Sequence, residues 1–389
     1  MARDVAIVGV GMTKFGEHWD KGLRELIMEA GIKSVEDAGI SGKDIELIIG
    51  GSMSSGIFAG QDHTGALFTD YLGLNPIPSI RTEAACASSS VALSTGIMAV
   101  QSGRYNCVVI GGVEKMTDVY SNMATTTLAG AMDRDNEANF GLTFPGVYAL
   151  MAKRHMHQYG TTREQIAMVA VKNHENAMHN PNAQFHRKIT VDDVLKSPLV
   201  SDPLRLLDCS PIADGASSLV IVPAEKAKQY TDTPIYIRAS SQASDTLGLY
   251  RRPDITTVNA NVVASRNAYK QAGMTPKDIH FAEVHDCFTI NEIIATEDLG
   301  FVKKGDGGRF VQSGETQLGG KIPINTSGGL KAKGHPVGAT GVAQVIEAVE
   351  QLRGNAGGRQ VSGAENGLTH NVGGSGSTVV VHILSRNRK

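Results

Sequence analysis

Aromatic residues are scarce in this 389-residue chain, at 5%, with Trp19 the single tryptophan. Together with 44 glycines, that scarcity favours a tightly turned α/β protein whose backbones approach closely. No collagen-like or low-complexity period accompanies the glycine. An excess of either charge is also missing: 37 Lys and Arg stand against 39 Asp and Glu, scattered along the chain, for a net charge of -2. That balance excludes the basic footprint of a nucleic-acid binder. No stretch approaches the ~18 apolar residues that span a bilayer, and the first segment, MARDVAIVGVGMTKFG, has no cleavage-type sequence. A soluble, cytoplasmic protein without membrane attachment is expected. Only four cysteines occur, Cys86, Cys107, Cys209 and Cys287. They form no C-x-x-C pair, so neither zinc nor a redox dithiol is indicated, and free thiols are expected.

What is present alternates. VAIVGV (5–10), IELIIG (45–50) and CVVIGG (107–112) are β-branched runs ending in glycine, with helical patterns over 22–38 and 86–103 between them. This order predicts a mostly parallel sheet covered by helices on both faces. The chain also repeats itself. AGISGKDI (38–45) matches AGMTPKDI (272–279), and each follows a helical stretch and precedes a strand. Cys86 precedes a helix ending AVQSGR (99–104), and GHPVGATG precedes one ending AVEQLRG (348–354). Two homologous halves follow, 1–115 and 255–389, with 116–254 an inserted loop region that returns to the core.

Four segments carry candidate chemistry. In RTEAACASSSVALSTG, Cys86 sits among small residues before a helix, whose orphan N–H groups favour a thiolate. A buried thiol in a close-packed helix is the competing reading. In KAKGHPVGATG, His335 lies in a glycine-rich turn that fixes an imidazole, or is simply structural. In VHDCFTINE, His285 and Cys287 follow a strand and point to one side of an extended segment. In THNVGGSGST, glycines leave a backbone N–H free to face an oxyanion. VGVGMTKFG fails the dinucleotide pattern because Lys14 occupies the third glycine position.

In this order and over almost the whole chain, the four segments resemble the thiolase superfamily. DCSPIADGASSLVI (208–221) also looks like the thiolase segment that re-enters the core. The resemblance implies a layered α-β-α-β-α fold of two duplicated βαβ-rich halves. Two departures point to the sterol-carrier-protein type and its archaeal relatives: His285 stands where common thiolases have Asn, and Asn371 where they have a second catalytic Cys.

The same resemblance implies a reversible Claisen condensation of two acetyl-CoA to acetoacetyl-CoA. Cys86 is the expected nucleophile, His335 its base, and Cys287 the base of the condensation. His285 and His335 are expected to stabilise the enolate oxygen, His285 directly or through a water. The N–H groups of Cys86 and Gly373 are expected to hold the tetrahedral oxyanion. Cys107 and Cys209 are expected to be structural. Coenzyme A thioesters enter as substrates, with no cofactor or metal. The archaeal relatives serve mevalonate synthesis as homodimers or homotetramers, some in complex with hydroxymethylglutaryl-CoA synthase and a small zinc-bearing OB-fold protein. The CoA-phosphate contacts stay open among Lys153, Arg154, Lys172 and Arg187. The rival readings are a degradative 3-oxoacyl-CoA thiolase, a thiolase-fold carbon-carbon lyase, whose known examples lack the nucleophilic cysteine, and a scaffold or lipid-carrying subunit.

Overall fold

The computed structural model describes residues 3–388. Its strands are β1 (Val5–Met12), β2 (Leu47–Gly51), β3 (Ser79–Thr82), β4 (Val108–Glu114), β5 (Leu199–Ser201), β6 (Leu204–Arg205), β7 (Gly215–Pro223), β8 (Ile235–Ser244), β9 (Phe281–Glu283), β10 (Asn366–Gly373) and β11 (Thr378–Ser385). Nine of them form one sheet in the order β3-β2-β4-β7-β1-β8-β11-β10-β9, while β5 and β6 form a small hairpin. The three apolar runs ending in glycine are β1, β2 and β4. They are buried on both faces, which is why they read as continuous hydrophobic runs.

The sheet is mixed rather than mostly parallel. Three neighbouring pairs are parallel and five antiparallel. The cause lies in the connections: β10 and β11 are joined by a tight glycine-rich turn, which forces them antiparallel. β7 re-enters between β4 and β1, antiparallel to both, after the long middle segment. The middle segment thus supplies two strands of the nine-stranded sheet. β7 completes the first half, and β8 pairs along its length with β11, so the second half of the sheet begins ahead of residue 255.

Helix Leu23–Asp37 packs on β1 and β7, and helix Asn259–Ala272 packs in the matching place on β8 and β11. Helices Ser88–Gln101 and Thr340–Arg353 lie against each other, each touching strands of both halves. The layers therefore run α-β-α-β-α. Gly341 permits the central helices to meet, since a Cβ there would lie 2.2 Å from the Ser90 hydroxyl and 2.6 Å from Asn371 Oδ1.

The repeated octapeptides adopt one structure. Ser41 and Thr275 each cap a short 3₁₀ turn with their own N–H donating to an aspartate three residues on, 2.8 Å to Asp44 and 2.7 Å to Asp278. Among the described residues no helix is long and apolar enough to cross a membrane.

Candidate active site

Cys86 is presented by a strained turn. Ala85, just before it, has φ 51°, a left-handed conformation that costs an L-residue about 1–2 kcal/mol. The turn is held by Glu83, which accepts the Ala85 N–H at 2.6 Å, and by Ser88, whose hydroxyl donates to the Ala85 carbonyl at 2.6 Å. The helix itself starts at Ser88.

His335 and His285 converge on this sulfur. One ligand atom from each of Cys86, His285 and His335 lies within 4.8 Å of the other two. The imidazoles meet edge to face with centroids 5.1 Å apart. Two nitrogens and a sulfur so placed could ligate a soft divalent ion, but each histidine is held in a form suited to proton chemistry.

The hydrogen bonds set opposite tautomers. Thr340 donates its hydroxyl proton to the Pro336 carbonyl at 2.9 Å, so it must accept from His335 Nδ1 at 2.7 Å. His335 Nε2 is then a free base. At His285 the Asn371 amide donates to Nδ1 at 3.0 Å, which places the proton on Nε2. That Nε2 is fully buried and has no partner, so it is an unpaired donor ready for a substrate oxygen. His285 is further anchored by its backbone N–H donating to His370 Nδ1 at 3.4 Å, while His370 Nε2 bonds Asn261 at 2.8 Å.

Burial dominates the protonation states. It holds the His335 imidazole down at about 3, and burial followed by the neighbouring histidines depresses His285 as well. The Cys86 thiol is pushed up to about 12, chiefly by desolvation. This corrects the expectation that the helix start makes Cys86 a ready thiolate. N–H groups of Gly374 and Cys86 do pull the value down, but loss of water outweighs them. The resting pair is a neutral thiol facing a neutral base.

The N–H that reaches the Cys86 sulfur belongs to Gly374, whereas Gly373 ends β10 opposite Thr378. Gly373 also serves the packing. A Cβ there would lie 2.3 Å from the Ala84 carbonyl, so its lack of a side chain lets the Cys86 turn close on the loop.

Cys287 and Cys86 line one cavity of about 340 Å³, together with His335, Tyr148, Phe288 and Gly374. Cys209, read as structural, also borders it, with its thiol turned to the Arg205 carbonyl at 3.4 Å. Cys107 is buried beside β4. The segment Cys209–Ser210 runs against Cys287–Phe288, with the Ser210 N–H donating to the Cys287 carbonyl at 2.9 Å. Asp286, between His285 and Cys287, accepts the N–H of Leu330 at 2.7 Å and of Lys331 at 3.2 Å, tying the HDCF segment to the chain leading into His335. None of Lys153, Arg154, Lys172 or Arg187 lines the cavity. Lys172 is buried and paired with Glu292 at 2.9 Å.

Two family models cover this chain: the thiolase N-terminal domain over residues 5–225, and a thiolase C-terminal domain-like model over 241–386. The chain belongs to the thiolase family. This thiolase is 58% identical over 384 residues to an acetyl-CoA acetyltransferase of Methanothermobacter thermautotrophicus, covering 99% of this chain and 100% of the other. It is 52% identical over 393 residues to an acetyl-CoA acetyltransferase of Methanocaldococcus jannaschii, covering 99% and 100%. A solved Ltp2-ChsH2(DUF35) aldolase is similar in structure, with TM-score 0.87 and 27% identity over 100% of this chain and 99% of that one.

The sequence had pointed to Cys86, His285, Cys287 and His335, and the fold brings all four to one place. It left Thr340 and Tyr148 unread. Thr340 stood inside the quoted GHPVGATG motif, where its spacing of five from His335 was the available signal. Tyr148 lay in the middle segment without any motif.

Proposed function

We propose that this protein catalyses the reversible condensation of two acetyl-CoA to acetoacetyl-CoA and CoA through acetyl-Cys86. The observation that carries the reading is the pairing of two thiols in one cavity with a histidine whose Nε2 is a free base. His335 Nε2 takes the Cys86 proton as the sulfur attacks the first thioester. The tetrahedral oxygen is met by the backbone N–H groups of Cys86 and Gly373, while the Gly374 N–H reaches the Cys86 sulfur. Collapse expels the CoA thiolate, which takes its proton from Cys287, leaving Cys287 as thiolate and His335 protonated.

Cys287 then removes a methyl proton from the second acetyl-CoA, and His285 Nε2–H donates to the enolate oxygen. The carbanion attacks acetyl-Cys86, and the departing Cys86 thiolate recovers its proton from His335. Every proton has a carrier in the chain, so the reading assigns no metal or organic cofactor.

The resemblance of the motifs to those of the archaeal relatives supports a place in mevalonate synthesis, in the cytoplasm. β3 ends the sheet with one edge unpaired among the described residues, which supports a homodimer or homotetramer through edge pairing. Resemblance to the archaeal relatives supports a complex with hydroxymethylglutaryl-CoA synthase and a zinc-bearing OB-fold protein.

Incubation with acetyl-CoA followed by peptide mass analysis tests the reading. One acetyl group on the Cys86 peptide is expected, and none after Cys86→Ala. A degradative thiolase would instead show kcat/KM rising with acyl length, and a lyase would turn over without acetyl-Cys86.

A further inference from the structure

Tyr148 lies in helix Phe144–Tyr159, 1% exposed, within the middle segment. Its ring stacks on Phe288, the residue after Cys287, at 4.7 Å between centroids and 26° between planes. Its hydroxyl donates to the Gly374 carbonyl at 3.1 Å, and it borders the same cavity as the Cys287 thiol. The phenol therefore stands between the base of the condensation and the loop whose N–H faces Cys86.

We infer that Tyr148 is a positioning residue for proton abstraction, turning its O–H from the Gly374 carbonyl to the Cys287 sulfur when that sulfur becomes a thiolate. A phenol has one proton and can give it to only one acceptor at a time. With Cys287 as thiol, the carbonyl holds the proton and the phenol oxygen accepts from S–H. With Cys287 as thiolate, the charged sulfur is the stronger acceptor and the rotor reverses. No bond other than hydrogen bonds changes.

The need for such a donor is plain from the surroundings. Burial raises the Cys287 thiol well above its ordinary range, and the adjoining Asp286 carboxylate raises it further, while Tyr148 pulls it down. The other charged group near the phenol is Arg252, held by the Ser375 carbonyl at 2.7 Å. Tyr148 itself is raised by burial and keeps its proton.

The inference rests on the thiolase reading, and the two fail differently. Tyr148→Phe keeps the stacked ring and removes the hydroxyl. Acetylation of Cys86 by acetyl-CoA should fall by no more than about threefold, because in that half-reaction Cys287 only passes a proton to CoA, which can also leave as the thiolate. Exchange of the acetyl-CoA methyl protons with deuterated water should fall about ten- to a hundredfold, and its pH midpoint should rise by about one to two units, as for loss of a hydrogen bond to a charged group.

Placing 3-fluorotyrosine at 148, a more acidic donor that preserves the fold, should move the midpoint the other way. Unchanged exchange and midpoint in both variants overturn the inference, as does an equal fall in acetylation and exchange with no midpoint shift. Lack of acetyl-Cys86 in the unsubstituted protein removes the thiolase reading itself.

Discussion

Replacing Thr340 by Val should disarm Cys86 without touching the cavity. The two side chains have nearly the same shape, but valine cannot accept the His335 Nδ1–H, which Thr340 Oγ1 meets at 2.7 Å in a buried setting. Leaving that N–H unpaired costs about 1–3 kcal/mol. The imidazole avoids the cost by moving its proton to Nε2, and so ceases to be a base toward Cys86. At about 1.36 kcal/mol per tenfold, the base-competent tautomer falls about 5- to 150-fold, and acetylation falls with it. Because the hydroxyl also donates to the Pro336 carbonyl at 2.9 Å, a stability loss of about 1 kcal/mol is expected as well. Rapid-quench acetylation and urea unfolding on the same preparation separate the effects. A folded variant acetylating within twofold of the unsubstituted protein would show that Thr340 does not set the His335 tautomer.

Acetylation should be nearly independent of pH between about 5 and 8, because His335, depressed to about 3, stays neutral there and Cys86, raised to about 12, stays a thiol. Protonating His335 removes the base, so the rate should drop only well below pH 5; a midpoint near 6.5 would mean a solvent-like imidazole or an activated thiolate. Cys287→Ala should still accept acetyl on Cys86, with the departing CoA thiolate taking its proton from water, yet neither exchange methyl protons nor form acetoacetyl-CoA, and undiminished exchange would assign the base elsewhere. At Ala85, φ 51°, glycine relieves the left-handed cost but adds unfolded-state entropy, so Ala85→Gly should change stability by less than about 1 kcal/mol while the β-branched Ala85→Val loses about 2 kcal/mol or more. Equal unfolding free energies for the two variants would count against strain in the turn.

Much of the architecture was legible because it is written in local patterns. The β-branched runs at 5–10, 45–50 and 107–112 became β1, β2 and β4, since residues that bury both faces of a strand need no distant partner to be recognised. The octapeptides at 38–45 and 272–279 became two capped turns of one design. Cys86, His285, Cys287 and His335 were legible through motifs whose neighbours are close in sequence. Strand direction was not: β7 and β8 come from a segment without clean periodicity, and their pairing depends on where the chain re-enters the sheet.

The proton inventory was decided by tertiary structure alone. Asn371 meets His285 across 86 residues, and Tyr148 meets Gly374 across 226; no local signal encodes such encounters. Helix-start chemistry alone favoured a Cys86 thiolate, but the fold removes water from that sulfur, and desolvation outweighs two N–H groups. Sequence thus determined which groups the site owns, whereas packing decided which of them hold a proton, because protonation follows burial and contacts at a few ångströms that only the folded chain creates.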